Sequence, residues 1–580
     1  MFSNLYDIIV SEPNILLAYR SIKGNKGSNT PGVNHVTIKD WNLADTRVYV
    51  EYVRRRLSNF FPHKVKRVEI PKANGKMRAL GIPTMEDRFI QQCIKQVLEP
   101  ILEAKFYPMS FGFRPNRSTM HAINEFIRMV NLSHLYYVVD VDIKGFFDNV
   151  DHAKLLKQLW TLGIQDKRII SIISKMLKAE ILGIGKPTKG TPQGGILSPL
   201  LANVVLNELD WWIDSQWKSF DTKEVKVYNS EKGCPNRGNV YTKLRKSTNL
   251  KEMYIIRYAD DFKILCRSGE DANKTYEAVK QWLNQRLSLE VSEEKSKVID
   301  IRRQSSEFLG LRFKAKPKGK KLVIHSHMTE LAKERAIQKF KDNIDSIKKH
   351  PDPKTVLRYN SSVLGIQQYF DMATHVNPDL SEVEFKMRFH RYNQLRAIMS
   401  DKGATGKTYN ERYKGYSYKK QFVAGLCLYP IPAVKHKHPV GFSQGICDYT
   451  VEGRAKIHDN LKINMDTLHY LMENPPPDCS VQLADNRISL YSAQWGKCGV
   501  TGEVLRIGSM EIHHKTPKHQ PFHGTDEYKN LIWVTYDVHK LIHATDSEVI
   551  KTYMSRVNPT KDIMEKINKL RKTAGNCVIE

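Results

Sequence analysis

The sequence predicts an α+β protein of several domains, and three observations carry that expectation. Residues 254–266, YIIRYADDFKILC, are two apolar runs around a short acidic junction, the pattern of a buried β-hairpin. Residues 136–143, YYVVDVDI, form a second strand-like run with two acids inside it. Residues 325–400 read as successive amphipathic helices with basic faces. At 580 residues the chain is long enough for three or four domains with ample core.

Taken in order, residues 1–20 place Leu5, Ile8, Ile9, Ile15, Leu16 and Leu17 at helical spacing, which predicts a short amphipathic helix. Residues 21–34 are rich in Gly, Asn, Ser and Lys and read as a loop whose Lys23 and Lys26 could touch a phosphate backbone. Residues 40–60 read as helix. Residues 64–80 read as a hairpin turning at Asn74-Gly75. Lys72 and Arg78 flank that turn, so both could reach one triphosphate, which requires such a cationic clamp. Thr84, with Asp87 three positions on, caps a helix that Pro100 should bend or end. Residues 119–131 give another amphipathic helix, and 153–182 are mostly helical.

The three glycines and the proline of GTPQGG, 190–195, exclude regular helix or a central strand and predict a loop of close backbone approach. Residues 196–212 follow as a long apolar helix, and 271–289 as a shorter one. KAKPKGKK, 314–321, reads as a basic turn. Residues 401–430 interleave aromatics with cations, which suits either base stacking beside phosphates or an irregular linker. NPPPD, 474–478, is the clearest interdomain linker.

The chemistry concentrates at Asp260-Asp261. Adjacent carboxylates repel, so the pair is costly unless it shares a cation. Mg²⁺ is the natural choice, because it is hard, takes oxygen ligands and bridges to phosphates. Strand alternation puts Asp140 and Asp142 on one face, and one of them would complete a three-carboxylate, two-metal site for phosphoryl or nucleotidyl transfer. An isolated Asp-Asp is more often a solvated turn. Its place inside an apolar hairpin, with an acidic strand upstream, favours the site.

Composition points the same way. There are 91 Lys and Arg against 62 Asp and Glu, a net charge of +29 spread along the chain. That calls for a polyanion, nucleic acid first. No apolar run of about 18 residues could span a membrane, and no basic amphipathic anchor stands out. Eight scattered Cys without a CxxC pair fit a reducing compartment and no disulfide framework. The N-terminal MFSNLYDIIVSEP lacks a secretory pattern, so a cytoplasmic, nucleoprotein-associated home is expected.

An ordered set of motifs over residues 20–315 then resembles the reverse transcriptases encoded by mobile group II introns. GNKGSNTPGV (24–33) resembles their extra N-terminal motif, IPKANGKMRALGIPT (70–84) the fingers strands, and FGFRPNRS (111–118) the motif that follows. DIKGFFDNVDH (142–152), GTPQGGILSPLLANVVLNELD (190–210) and YADD (258–261) resemble the three palm motifs. SEEKSKVI (292–299) and FLGLRF (308–313) resemble the last two, and LGIQQYFDMAT (364–374) the thumb, also called the maturase domain.

The resemblance implies a right-hand polymerase of fingers and palm with an α-helical thumb/maturase domain. It selects Asp142, with Asp260 and Asp261, as ligands of two Mg²⁺. It implies that Lys72 and Arg78 hold the incoming nucleotide, and that Phe147 lies under the sugar as a gate favouring deoxynucleotides. Gln193 would pack against template base or nucleotide, Lys295 would serve the pyrophosphate end, and Phe308-Leu309-Gly310 would begin the primer grip.

Residues 496–543 resemble an HNH nuclease, whose fold is a ββα-metal unit. His513 and His514 end a strand-like run, Asn530 precedes another, and His539 and His543 share one helix face. His513, His539 and His543 can hold one divalent ion, Mg²⁺ by expectation. His514 then faces away from it as a general base, and Asn530 orients His514 or the loop. Relatives brace this fold with two Cys pairs on zinc. Here Cys498 has Thr501 where a partner Cys would stand, and Thr535 and Val538 fill the other pair, so no structural Zn²⁺ is expected.

These readings divide the chain into 1–135 (N-terminal extension and fingers), 136–322 (palm), 323–400 (thumb/maturase), 401–480 (DNA-binding region and linker) and 481–580 (HNH). The function expected by resemblance is RNA-directed DNA synthesis by a group II intron protein that binds its intron RNA to promote splicing and nicks double-stranded target DNA to make a primer. The partners implied are intron RNA, RNA template with DNA primer, target DNA and dNTPs, as monomer or dimer and without a membrane. The alternatives are a domesticated reverse transcriptase with a role such as phage defence, and an RNA-binding splicing factor without catalysis.

Overall fold

A computed structural model describes residues 1–71, 77–220, 228–229, 235–458, 463–519 and 521–580. Its principal elements begin with helices α1 (Glu12–Lys23) and α2 (Thr46–Ser58), strands β1 (Lys66–Pro71) and β2 (Met77–Ile82), and helices α3 (Met85–Glu103) and α4 (Thr119–Asn131). Strand β3 (Tyr137–Val141), helix α5 (Ser198–Gln216), strands β4 (Met253–Tyr258) and β5 (Asp261–Cys266), helix α6 (Gly269–Trp282) and strand β6 (Lys297–Asp300) follow. Next come β7 (Ser306–Phe308), β8 (Leu311–Lys318) and β9 (Lys321–Met328), then helices α7 (Glu330–Lys349), α8 (Pro353–Phe370) and α9 (Val376–Leu395). The C-terminal part holds α10 (Val481–Ala493), β10 (Met510–His514), β11 (Leu531–Thr535), α11 (Tyr536–His543) and α12 (Lys561–Thr573).

The chain forms two compact units that interleave in sequence. One comprises Phe106–Phe146 and Val205–Gln444; the other comprises Met1–Lys105, Phe147–Val204 and Gly445–Glu580.

In the first unit, four antiparallel strands are ordered β4-β5-β3-β6. Helices α4 and α6 pack on this sheet, so β4 and β5 are apolar almost throughout and nearly every residue of both is buried. A second sheet, β9-β8-β7, carries the chain to three helices, in which α7 packs against both α8 and α9. Tyr409, Tyr413, Phe422, Cys427 and Ala433 make a small core of their own. Two tyrosines of the aromatic-cation stretch are therefore packing residues.

In the second unit, α1, α2 and α3 pack together, β1 pairs with β2, and the C-terminal elements build their own core. There β10 and β11 pair antiparallel, α11 follows directly, and Leu531, Trp533, Val534, Val538, Leu541 and Ile542 are buried beside Tyr491 and Ile567. Asp485 of α10 receives Arg20 and Lys23 of α1, each at 2.9 Å.

Two local expectations are corrected, and a third, that Pro100 bends or ends its helix, is narrowed because the helix does not stop there. Helix α3 runs through Pro100 to Glu103. The proline falls in the last turn, where it forfeits the bond to the carbonyl of Gln96 and crowds that carbonyl with only three residues of helix still to follow. KAKPKGKK is mostly strand: Lys314–Lys318 extend β8, Lys321 opens β9, and only Gly319-Lys320 turn, with Gly319 at φ 60°. Residues 325–328 belong to β9, so the helical stretch begins at Glu330. Among the described residues, no helix is long and apolar enough to cross a membrane.

Candidate functional site

The β4–β5 hairpin pairs Tyr258 with Asp261 and leaves Ala259-Asp260 as a two-residue turn. Ala259 sits at φ 59°, a conformation that a residue with a Cβ adopts only under constraint. Two braces supply it. Arg257, 1% exposed, donates from Nε to both carboxylate oxygens of Asp210 at 2.9 Å and from Nη2 at 2.6 Å, while its Nη1 donates to the Ala259 carbonyl at 2.9 Å. Residues 109–112 lie along the other side. Phe111 N donates to the Arg257 carbonyl at 2.9 Å, and Arg257 N to the Met109 carbonyl at 3.0 Å. A Cβ on Gly112 would stand 2.2 Å from the Ala259 nitrogen, so only glycine lets this segment reach the turn. Arg114 is buried and donates to the carbonyls of Tyr107 and Ser110, which shapes the same loop.

Register brings the third acid alongside. Val141 pairs with Phe262 and Asp140 with Lys263, so Asp142, one residue further, reaches the sheet edge beside Asp261. Asp142 N donates to Ser296 Oγ at 3.0 Å, and its carbonyl accepts from Ser292 N at 2.8 Å. Asp142, Asp260 and Asp261 are thus gathered at one edge.

The cations nearby are lysines. Lys295 Nζ lies 2.7 Å from Asp142, and Lys263 Nζ lies between Asp140 at 2.5 Å and Asp261 at 3.3 Å. Burial pushes the Asp261 carboxyl up; Lys263 opposes this, while Asp140 and Asp260 add to it. The Asp142 and Asp261 side chains remain 40% and 44% exposed, open to an incoming group. An accessible oxygen-donor set with surplus negative charge fits a hard divalent ion such as Mg²⁺.

Other predicted residues lie in the second unit. Phe147 and Gln193 line one cavity of about 80 Å³ with Arg67, Ala79, Gly81 and Thr191. The 190–195 loop is held by Gly190 N on the Val150 carbonyl and Thr191 N on the Phe147 carbonyl, both at 2.7 Å. Its close approach is to β2: a Cβ on Gly194 would stand 2.2 Å from the Gly81 oxygen. Arg78 is exposed on β2 opposite Ile70, and Lys72 lies outside the described residues.

The histidines converge at the end of the β10–β11–α11 arrangement. One ring nitrogen from each of His513, His539 and His543 lies within 4.8 Å of the others. His543 Nε2 is 3.2 Å from His513 Nδ1, and the buried His513 Nε2 has no partner. Burial and the neighbouring imidazoles push His513 down to about 3, and burial with His543 and Lys540 pushes His539 down to about 4. These rings are therefore neutral near pH 7, the form that ligates metal. An orphaned ring nitrogen among neutral imidazoles fits a divalent ion.

His514 points the other way. Its Nε2 meets Asp526 Oδ1 at 2.8 Å, and Asp526, 2% exposed, also accepts from Ser480 Oγ at 2.7 Å and Lys518 Nζ at 3.0 Å. Asn530 does not touch His514. Its Oδ1 accepts from Thr516 N, and its Nδ2 donates to the carbonyls of Thr516 and Thr525, so of the two roles expected it takes the loop brace. Cys498 is buried, with Sγ accepting from Thr501 N at 3.5 Å, and His519 and His523 are exposed.

Sequence reasoning missed Arg257, Asp210, Lys263 and Asp526. The first three carried a signal, a charged residue inside an apolar strand or helix. Asp526 sits in a polar loop, HGTDEYKN, where nothing sets it apart.

Residues 70–313 match the family model described as reverse transcriptase (RNA-dependent DNA polymerase). The group II intron-encoded protein LtrA of Lactococcus lactis subsp. cremoris is 31% identical over 467 residues, 70% of this chain and 76% of that protein. Protein YkfC of Escherichia coli K12 is 32% identical over 301 residues, 50% of this chain and 78% of its own. Nuclear intron maturase 2, mitochondrial, of Arabidopsis thaliana is 29% identical over 199 residues, 27% of each chain.

Proposed function

The chain belongs to the reverse transcriptases encoded by group II introns, and from that premise we propose that its polymerase chemistry is carried by Asp142, Asp260 and Asp261. The protein is an RNA-directed DNA polymerase with a role in intron splicing. Intron RNA and an RNA template are its partners; a DNA primer, dNTPs and a double-stranded DNA target complete the proposal. The observation that carries the site assignment is the strand register, which sets Asp142 one residue past the Val141–Phe262 pair and so beside the Asp260-Asp261 turn.

Those carboxylates would hold two Mg²⁺. When bound, the ions would activate the primer 3′-hydroxyl and stabilise charge on the leaving pyrophosphate. The chain's own residues do the positioning. Arg257 and Gly112 fix the turn that keeps Asp260 and Asp261 adjacent. Lys295, exposed and flexible, holds Asp142 and can turn to a phosphate. By the resemblance, Arg78 and Lys72 would clamp the triphosphate, and Phe147 and Gln193 would read sugar and base.

The test is primer extension on an RNA template with dNTPs and Mg²⁺. The wild type should extend the primer, and Asp260→Ala should not. Absence of incorporation by the wild type, with RNA binding intact, would favour the splicing factor without catalysis.

A second reading concerns residues 481–580, which we propose are an HNH endonuclease. Its support is the convergence of His513, His539 and His543, with His514 next in the strand and bonded to Asp526 instead. The three would hold one divalent ion. With Nε2 of His514 donating to Asp526, Nδ1 is left to take a proton from the attacking water. A nick in target DNA would supply the primer. Nicking of double-stranded target DNA by wild type, and its loss in His514→Ala, tests this reading.

A further inference from the structure

The acid edge contains one cation that the polymerase reading does not use. Lys263 lies in the middle of β5 with its side chain 4% exposed. Its ammonium meets Asp140 at 2.5 Å and Asp261 at 3.3 Å, and stands 5.5 Å from the centre of the Phe308 ring. A fixed positive charge beside a residue meant to bind a cation should oppose that binding. An ordinary buried ion pair explains Asp140, whose single charge offsets that of the lysine. It does not explain the second contact with Asp261.

Lys295 makes a useful contrast. It also neutralises an acid of the set, but its side chain is 63% exposed and can leave when a substrate arrives. Lys263 is held in place: it is 4% exposed, Asp140 anchors it and Phe308 lies against it. Its charge acts on the site at every stage. We propose that Lys263 is a positioning residue of the polymerase site: it holds the Asp261 carboxylate in place before substrates bind, and it keeps divalent-ion affinity low until a nucleotide brings its own negative charge. This rests on the polymerase reading, and it gives Asp140 a purpose as the lysine's anchor. Through Phe308 it also ties the acid edge to β7, the start of the segment whose sequence suggested the primer grip.

The test titrates the full-length chain with Mn²⁺ in the absence of nucleic acid and dNTP, reading free Mn²⁺ by electron paramagnetic resonance. All proteins carry His539→Ala, so that the histidine cluster does not contribute. Two neutral replacements of the pair are compared with the parent, Asp140→Leu/Lys263→Met and Asp140→Asn/Lys263→Gln, with folding followed by circular dichroism. Asp260→Ala identifies binding at the acid edge. A folded neutral pair should bind Mn²⁺ about tenfold more tightly than the parent, equivalent to about 1.4 kcal/mol. An affinity within about twofold of the parent, or loss of fold in both replacements, would make the pair purely structural and overturn the proposal. The polymerase reading would survive that result if the parent still extends primers. If Asp260→Ala binds Mn²⁺ as the parent does, the acid edge is no cation site, and both ideas fall.

Discussion

The acid edge and the histidine cluster solve one electrostatic problem in opposite ways. At the acid edge, Asp140, Asp142, Asp260 and Asp261 keep like charges together, and the fold supplies Lys263 and Lys295 as internal counter-ions. In the cluster, His513 and His539 lie far below the ordinary imidazole range and carry no charge near neutral pH, so no counter-ion is needed. A carboxylate must be compensated when it is crowded, whereas an imidazole can shed its proton. Each site then needs a different brace. The acid turn is held by a buried Arg257–Asp210 pair, and His514 by a carboxylate that is itself hydrogen-bonded three times.

The sharpest way to break the comparison is to silence each site alone. Asp260→Ala should lower primer extension by about 10³-fold or more while DNA nicking persists. His514→Ala should lower nicking by about 10²–10⁴-fold while extension persists. Loss of both activities in either variant would show that the sites are not independent.

Next in size is the brace of the acid turn. Arg257→Met strips the buried Asp210 of its hydrogen-bonded guanidinium and leaves only the charge of Arg114 to offset it, and should cost about 3–5 kcal/mol of stability, read as a lower denaturant midpoint. A change under about 1 kcal/mol would mean that the pair does not hold the turn.

The brace of His514 should matter less. Asp526→Asn keeps the shape of the loop but loses the charge that orients His514, and should slow nicking about 10–100-fold with target binding unchanged. An equal loss of target binding would mean that Asp526 serves the loop alone.

The smallest effect is on pH. Although burial would raise it, hydrogen bonds from His514, Ser480 and Lys518 hold the Asp526 carboxyl well below the ordinary range. Its stabilisation is therefore complete above an ordinary carboxylate pKa of about 4 and is lost as pH falls through the lowered folded value. Thermal melts below about pH 4 should show wild type losing stability relative to Asp526→Asn, and parallel melting curves would contradict this.

Much of both sites was legible beforehand because the relevant signals are local. A period of two puts Asp140 and Asp142 on one face, apolar runs frame Asp260-Asp261, and spacing of four pairs His539 with His543. Each depends only on backbone geometry within one element. Asn530 shows the limit: its position was readable, but the choice between His514 and the loop turned on where Thr516 and Thr525 fold.

What the amino-acid order determined by itself was the inventory: acid hairpin, acidic strand, glycine loop, histidine pairs, and the family they resemble. What only the tertiary structure decided was the pairing of charges across the chain. Arg257 finds Asp210 from 47 residues away, Lys263 finds Asp140 from 123, and His514 takes Asp526, a residue no motif singled out. The reason is physical. A helix or strand follows from interactions among near neighbours, but the partner of a buried charge is set by which strands align and which loops close, and no local pattern encodes that.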